Sequence, residues 1–325
     1  MIKNAIFNIK TDKEFEDVAL TIFKYQFEHN SVYRSFCDLL YKHPSDIRTL
    51  NEIPFLPIEF FKTHEVISGS DAPQTVFKSS GTTGLKTSNH YVTDLAIYEQ
   101  SFKTNFQLQY GAIEDYAILA LLPSYLERSG SSLVYMVDTL IKQSLHAESG
   151  FYLNDYFALS KKLKSLNQKG QKTLLIGVSF ALLDLLEHHQ FDLSHTIIME
   201  TGGMKGRRKE LIRAALHELL ASGFGVPLIH SEYGMTELLS QAYSSGKGVF
   251  SCPPWMKVCI RDPEDPLTIL PNAKNGGINI IDLANINSCS FIATQDIGSQ
   301  INSRQFTVLG RFDNADIRGC NLLAF

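Results

Sequence analysis

The chain has 325 residues, 44% of them hydrophobic, enough to bury a substantial core and to form one large domain or two modest ones. Its 30 basic and 34 acidic residues leave a net charge of −4 and are scattered, so no basic stripe marks a nucleic-acid footprint and small-molecule chemistry is expected. The five cysteines, Cys37, Cys252, Cys259, Cys289 and Cys320, include no CxxC pair and are odd in number, which argues against a zinc ribbon and a disulfide framework and leaves at least one thiol free.

The opening stretch "MIKNAIFNIKTDKEFEDVAL" has no continuous apolar segment, and nothing in the chain approaches the roughly 18 to 20 apolar residues of a membrane span. The expectation is a cytoplasmic protein that is not embedded in a membrane. Thr11 and Glu14 form a capping-box pattern, and Phe15, Val18, Ala19, Ile22, Phe23 and Phe27 recur on one helical face, predicting an N-terminal helix. In "IPFLPIEFFKTHEV", Pro54 and Pro57 oppose a regular helix and predict a loop or edge strand. From residue 92 the pattern alternates. Helices are expected near 94–108, 131–144, 155–167, 180–188 and 206–222, with strands at "YAILALLP", near 151, and at "TLLIGV", "HTIIME" and "VPLIH". Such alternation implies an α/β fold with a largely parallel sheet. Beyond about residue 240 the helical period ends, and short strands ("KVCIR", "GGINIIDL", "QFTVLG") are separated by Pro, Gly and Asn turns. The expected division is an α/β core over 1–240 and a small β-rich subdomain over 241–325.

Between apolar flanks lies "FKSSGTTGLKT", residues 77–87. Glycines let a phosphate approach backbone N–H groups closely, and hydroxyls donate hydrogen bonds without adding charge. A Walker loop would need glycine at Ser80 and Leu85, so the strip is not one. Taken alone it is either a Ser/Thr-rich turn or a phosphate cradle. Other candidates are weaker: His188 and His189 are adjacent and point apart on a helix, and no G-x-S-x-G accompanies the serines of "LPSYLERSGSS". Four further segments stand downstream: "TGG" (201–203), "HSEYGMTE" (230–237), "TQDIG" (294–298) and "GRFDNADIRG" (310–319).

Together and in this order, from about residue 50 to 320, these segments resemble the adenylate-forming superfamily of acyl-CoA ligases, peptide-synthetase adenylation domains and luciferase-like enzymes. The resemblance implies the N-terminal-domain fold of that superfamily, with sheet and helix layers, and ATP with Mg²⁺ as cofactors. It assigns Ser79, Ser80, Gly81, Thr82, Thr83 and Gly84 to the ATP phosphates, with Lys86 where the family usually has proline. It puts Tyr233 of Tyr233–Gly234–Met235–Thr236–Glu237 on the adenine, Thr236 on the α-phosphate and Glu237 on Mg²⁺. Asp296, in Thr-Gln-Asp rather than the usual Thr-Gly-Asp, and Arg311 are assigned to the ribose, and Gly202 and Gly203 to the loop against adenine. These residue types suit the chemistry: a hard cation takes a carboxylate oxygen, and charge building on phosphorus needs fixed donors. For the pentapeptide alone, a capped helix start is the competing reading.

One branch is especially similar, the LuxE-type acyl-protein synthetases, through "IPFLPIEFFKTHEV", "LPSYLERSGSSLVYM" and "RGC". That branch makes an acyl-AMP from a fatty acid and ATP, moves the acyl group to a cysteine near its C-terminus and passes it to a reductase. Cys320 is the matching residue, and the neighbouring Arg318 would favour its thiolate. The bland alternative is a buried, inert thiol. Ser124, Arg128 and Ser132 are expected to line the acyl site. Relatives usually carry a lid domain with a catalytic lysine beyond the "GRxD" hinge, whereas six residues follow Gly319 here, and Lys86, Arg318 or a partner protein are the candidate substitutes. Three functions stay open: an acyl-protein synthetase charging Cys320, with a carboxylic acid as substrate and an acyl reductase or other acceptor as partner; an acid–thiol ligase using coenzyme A or a carrier; and a non-catalytic nucleotide-binding partner protein.

Overall fold

Three α-helices precede the first strand among the described residues: after the short α1 (Ile2–Ile6), α2 (Asp12–His29) begins at the expected capping box, and α3 (Ser31–Leu39) follows directly. The structure is a computed structural model, and it describes residues 2–79, 87–122, 130–202, 211–270 and 274–312. The proline-bearing lead-in pairs as an edge strand only over β1 (Leu56–Pro57). Contrary to a wholly extended reading, it then turns into the short helix α4 (Phe60–Thr63), because the restriction imposed by Pro57 ends before Phe60. The opening strip lies between β2 (Thr75–Lys78) and β3 (Asn89–Val92), an antiparallel pair of its own.

The alternating region then follows: α5 (Leu95–Tyr110), β4 (Ala117–Leu121), α6 (Ser132–Ser144), β5 (Gly150–Phe151), α7 (Tyr156–Gln168), β6 (Thr173–Gly177), α8 (Ser179–His188), β7 (Thr196–Thr201), α9 (Arg213–Phe224) and β8 (His230–Tyr233). Strands β5, β4, β6, β7 and β8 run parallel, and every residue of β4 and β6 is buried, as the unbroken apolar runs "AILAL" and "TLLIG" require of strands covered on both faces. The last of these strands begins later than "VPLIH" suggests. Gly225 ends α9 in the left-handed conformation and Pro227 has no N–H to pair, so the ladder starts at His230.

Past residue 240 the strands are β9 (Ala242–Ser244), β10 (Val249–Ser251), β11 (Met256–Arg261), β12 (Asn275–Asp282), β13 (Phe291–Asn302) and β14 (Gln305–Arg311). They pair antiparallel and continue the same sheet, in the order β11-β12-β13-β14-β10-β9-β8-β7-β6-β4-β5, with β1 laid parallel on β13. The mixed α/β architecture with a large sheet is therefore as expected. Helix α2 is stitched to the far end of the chain: the Gln26 amide donates to the carbonyls of Asn285 (2.9 Å) and Ile286 (3.0 Å), and its oxygen accepts from Ser290 N (3.0 Å).

Candidate functional site

The strip begins in the last two residues of β2, Phe77 and Lys78. Register pairs Phe77 with His90 and Lys78 with Asn89, and beyond them Ser79 N donates to Ser88 O (3.1 Å) while Ser88 N donates to Ser79 Oγ (2.8 Å). These reciprocal bonds pinch the loop at its base, so Ser79 is placed by its own backbone and hydroxyl. Lys78 N donates to Gly130 O (2.8 Å), joining the hairpin to the residues that open α6. Ser80, Gly81, Thr82, Thr83, Gly84 and Lys86 lie outside the described residues.

His90, fully buried on β3, connects the hairpin to the Tyr-Gly-Met-Thr-Glu segment. Its Nδ1 lies 2.8 Å from the Thr236 carbonyl, and because a carbonyl only accepts, Nδ1 carries the proton. Burial pushes the imidazole down to about 4, so the ring is neutral near pH 7. The segment is not a capped helix start: Tyr233 ends β8, and Thr236 and Glu237 form a turn. Glu237 is buried, and desolvation raises its carboxyl above the ordinary range, opposed by the Ser88 side chain and the charges of Arg311 and Lys62. Its carbonyl accepts from Asn285 Nδ2 (2.8 Å), which pins the turn from the far side. Met235 packs against the core at partial exposure.

A second group of expected residues meets across strands. The Tyr233 hydroxyl donates to Asp296 Oδ2 (2.7 Å), and Arg311 Nε lies 3.3 Å from Asp296 Oδ1. The register of β13 with β14 sets Asp296 directly opposite Arg311, so this pair follows from the sheet itself. The Tyr233 ring stands edge-on to Phe306, with centroids 5.3 Å apart, and close to Phe250 at 5.7 Å. Burial raises the Asp296 carboxyl, while the bond from Tyr233 and the cations of Arg311 and Arg261 pull it back.

Gly202 follows β7 with φ +72°, a conformation that favours glycine, and its carbonyl accepts from Ser179 Oγ (2.6 Å). Gly203 lies outside the described residues. Beside Gly202, Thr201 Oγ1 donates to Glu232 Oε2 (2.5 Å), and burial pushes the Glu232 carboxyl up to about 7, with Glu200 adding to the rise. Glu200 lies 3.5 Å from both Arg213 Nη1 and His217 Nε2. Gly234 lies close to the Glu232 carboxylate, so a Cβ there would force that side chain to shift. Ser132 is buried at the start of α6 with its carbonyl accepting from the Tyr98 hydroxyl (3.0 Å), whereas Ser124, Arg128, Arg318 and Cys320 lie outside the described residues.

Of the described residues among those expected, Gly202 follows β7, Tyr233 ends β8 with Asp296 and Arg311 beside it, and Thr236 and Glu237 come directly after, at the position where open α/β sheets bind ligands. Among the described residues no three His, Cys, Asp or Glu side chains gather as a metal cage. The single carboxylate of Glu237 instead suits Mg²⁺, which commonly takes one or two carboxylates and completes its shell with substrate phosphates and water. Sequence reasoning missed His90, Ser88, Glu232 and Arg261. For His90 a signal existed: in "NHYV" the alternation of β3 turns His90 and Val92 inward directly after the strip.

Residues 7–112 match the family described as acyl-protein synthetase, LuxE. The fold is similar to 2-hydroxyisobutyryl-CoA ligase in an open conformation with 2-HIB-AMP and CoA (TM-score 0.68, 11% identity, covering 94% of this chain and 72% of that one). It is also similar to the same ligase in the thioesterification state (0.67, 13%, 94% and 70%). ATP-bound MatB from Rhodopseudomonas palustris matches with TM-score 0.52 and 18% identity over 73% of this chain and 47% of that one. No curated protein matches the sequence.

Proposed function

We propose that the chain is an adenylate-forming ligase of the acyl-protein synthetase, LuxE type, which activates a carboxylic acid, a fatty acid in our reading, as acyl-AMP and transfers the acyl group to Cys320. The observation that carries this reading is the convergence of Tyr233, Asp296 and Arg311 beside a turn joined to the Ser79–Ser88 loop base through His90. In this reading Tyr233 packs on adenine, Asp296 and Arg311 take the ribose hydroxyls, and Gly202 and Gly203 border the base. Ser79, Ser80, Gly81, Thr82, Thr83 and Gly84 supply donors to the phosphates.

A substrate carboxylate oxygen attacks the α-phosphorus of ATP, the bond to the β-phosphate oxygen breaks, and pyrophosphate leaves with the electron pair. Thr236 donates to the α-phosphate while His90 holds the Thr236 carbonyl away from it. Mg²⁺ held by Glu237 would neutralise phosphate charge. The Cys320 thiolate then attacks the acyl carbonyl and AMP departs, leaving a thioester that a reductase or another acceptor receives. Lys86, one of the two lysines of the strip with Lys78, in this reading meets the leaving pyrophosphate.

Labelled fatty acid with ATP is expected to leave a hydroxylamine-sensitive label on the wild type and none on Cys320→Ser, with ATP–pyrophosphate exchange kept in both. If no acid in a panel supports exchange, the ligase reading fails. 2-Hydroxyisobutyryl-CoA ligase, whose fold is similar, is a CoA ligase, and in that second reading Cys320→Ser keeps full turnover with coenzyme A.

A further inference from the structure

Arg261 closes β11 as a buried cation, only 8% exposed. Its Nη1 donates to Ile278 O (2.9 Å) and Asn279 Oδ1 (2.8 Å), and its Nη2 to Thr294 O (2.5 Å). Burial disfavours its charge, and the carboxylates of Glu59 and Asp296 offset this from beyond salt-bridge distance. Space for the guanidinium is made by Gly277, where a Cβ would sit 2.5 Å from Cζ. That "GG" stands in a strand is thereby explained, since glycine weakens a ladder unless another group must come close.

The three bonds lead toward the candidate site. Thr294, held at its carbonyl by Arg261, uses its Oγ1 both to donate to Ile278 O (2.8 Å) and to accept from Asp296 N (3.1 Å). On the other side the guanidinium carbon lies 5.3 Å from the centre of the Phe312 ring, and Phe312 N donates to Gln295 O (2.8 Å). Phe312 directly follows Arg311. The Arg261 group therefore touches both the strand that presents Asp296 and the residue that follows the second ribose candidate. Arg311 itself is 70% exposed, so its charge is screened by solvent and its side chain is free to change partners.

We propose that Arg261 is the positioning residue of the nucleotide's ribose side, holding Thr294–Asp296 through the Thr294 carbonyl and Phe312 through its ring, so that Asp296 keeps its place whatever Arg311 contacts. This rests on the reading of Asp296 as a ribose-binding carboxylate. Guanidinium is suited to the task because its planar fork serves three acceptors at fixed angles, which an ammonium does not reproduce.

The test compares Arg261→Met, Arg261→Lys and Phe312→Leu with the wild type by ATP–pyrophosphate exchange and by amide hydrogen exchange over residues 294–312. For Arg261→Met we expect the KM for ATP to rise about tenfold, the effect of losing one charged hydrogen bond, with kcat at saturating ATP nearly unchanged. Amide exchange over 294–312 should quicken, and Arg261→Lys should recover part of the KM. An unchanged KM and unchanged protection in these variants, or a loss confined to kcat, overturns the proposal. If Arg261→Met does not fold, Arg261→Lys and Phe312→Leu are judged by the same two readouts. If the wild type supports no pyrophosphate exchange, the ligase reading falls, and the hydrogen-exchange comparison still decides whether Arg261 anchors this stretch.

Discussion

Glu232 and His90 carry the largest consequences at the scale of single residues. Both are titratable groups held away from their ordinary ranges by burial, in opposite directions on the charge scale: His90 stays neutral by losing a proton and Glu232 by keeping one. Because the Glu232 carboxyl is raised from 4.5 to about 7 in the folded chain, folding favours its protonated form. The stabilisation is present below the unfolded value and is lost as pH rises through about 7. Glu232→Gln removes this loss, so relative to wild type the variant should gain stability between pH 5 and pH 8, on the order of 2 kcal/mol. Denaturant unfolding at the two pH values measures it, and parallel curves for the two proteins would refute the assignment. Tyr233, Thr236 and Glu237 were legible in the sequence because their spacing is local. The partner of each was not: His90 is 146 positions from Thr236 and Asp296 is 63 from Tyr233.

Among the elements, the antiparallel pair of β2 and β3 shows what the two ends of the strip are anchored to. A Ser/Thr-rich turn and a phosphate loop have the same composition, and the distinction depends on what the base of the loop is fixed to. Here the base is closed by Ser79 and Ser88, and β3 is fastened to the Thr236 carbonyl by a buried imidazole. Ser79→Ala removes the acceptor for Ser88 N, and we expect a rise of several-fold in the KM for ATP from one lost hydrogen bond of about 1 kcal/mol, with little change in stability. Pyrophosphate exchange and thermal unfolding check the two halves; an unchanged KM would mean that this bond does not order the loop. Three helices of the alternating region were predicted closely because their caps are local: Asp94, Ser131 and Asp155 each accept from the first turn they cap, whereas the helix expected near 206–222 is helical among the described residues only from Arg213, with no side-chain cap to mark its start. The short helix α4 and the late start of β8 were not, since both depend on where a proline's restriction ends relative to a neighbouring strand.

For the whole molecule, the N-terminal helices are part of the scaffold that presents the site. Gln26 satisfies three backbone groups in the 285–290 stretch, and Asn30 adds a bond to Ser288 O (2.9 Å); Asn285 in turn holds the carbonyl of Glu237. Gln26→Ala leaves those buried groups unsatisfied and should cost about 2–4 kcal/mol in a single cooperative unfolding transition. A separate early transition would show instead that α2 unfolds independently of the sheet. The sequence by itself determined the α/β alternation, the helix caps and the apolar parallel strands, and it singled out Tyr233, Asp296 and Arg311 as candidates, because period, capping and motif order are properties of neighbouring residues. Only the tertiary structure decided that the strands beyond residue 240 extend the same sheet, that His90 bonds the Thr236 carbonyl and Arg261 the Thr294 carbonyl, and that Asp296 stands opposite Arg311. Sheet order, register and burial arise from pairings between distant segments, and it is burial that changes the proton affinity of Glu232 and His90.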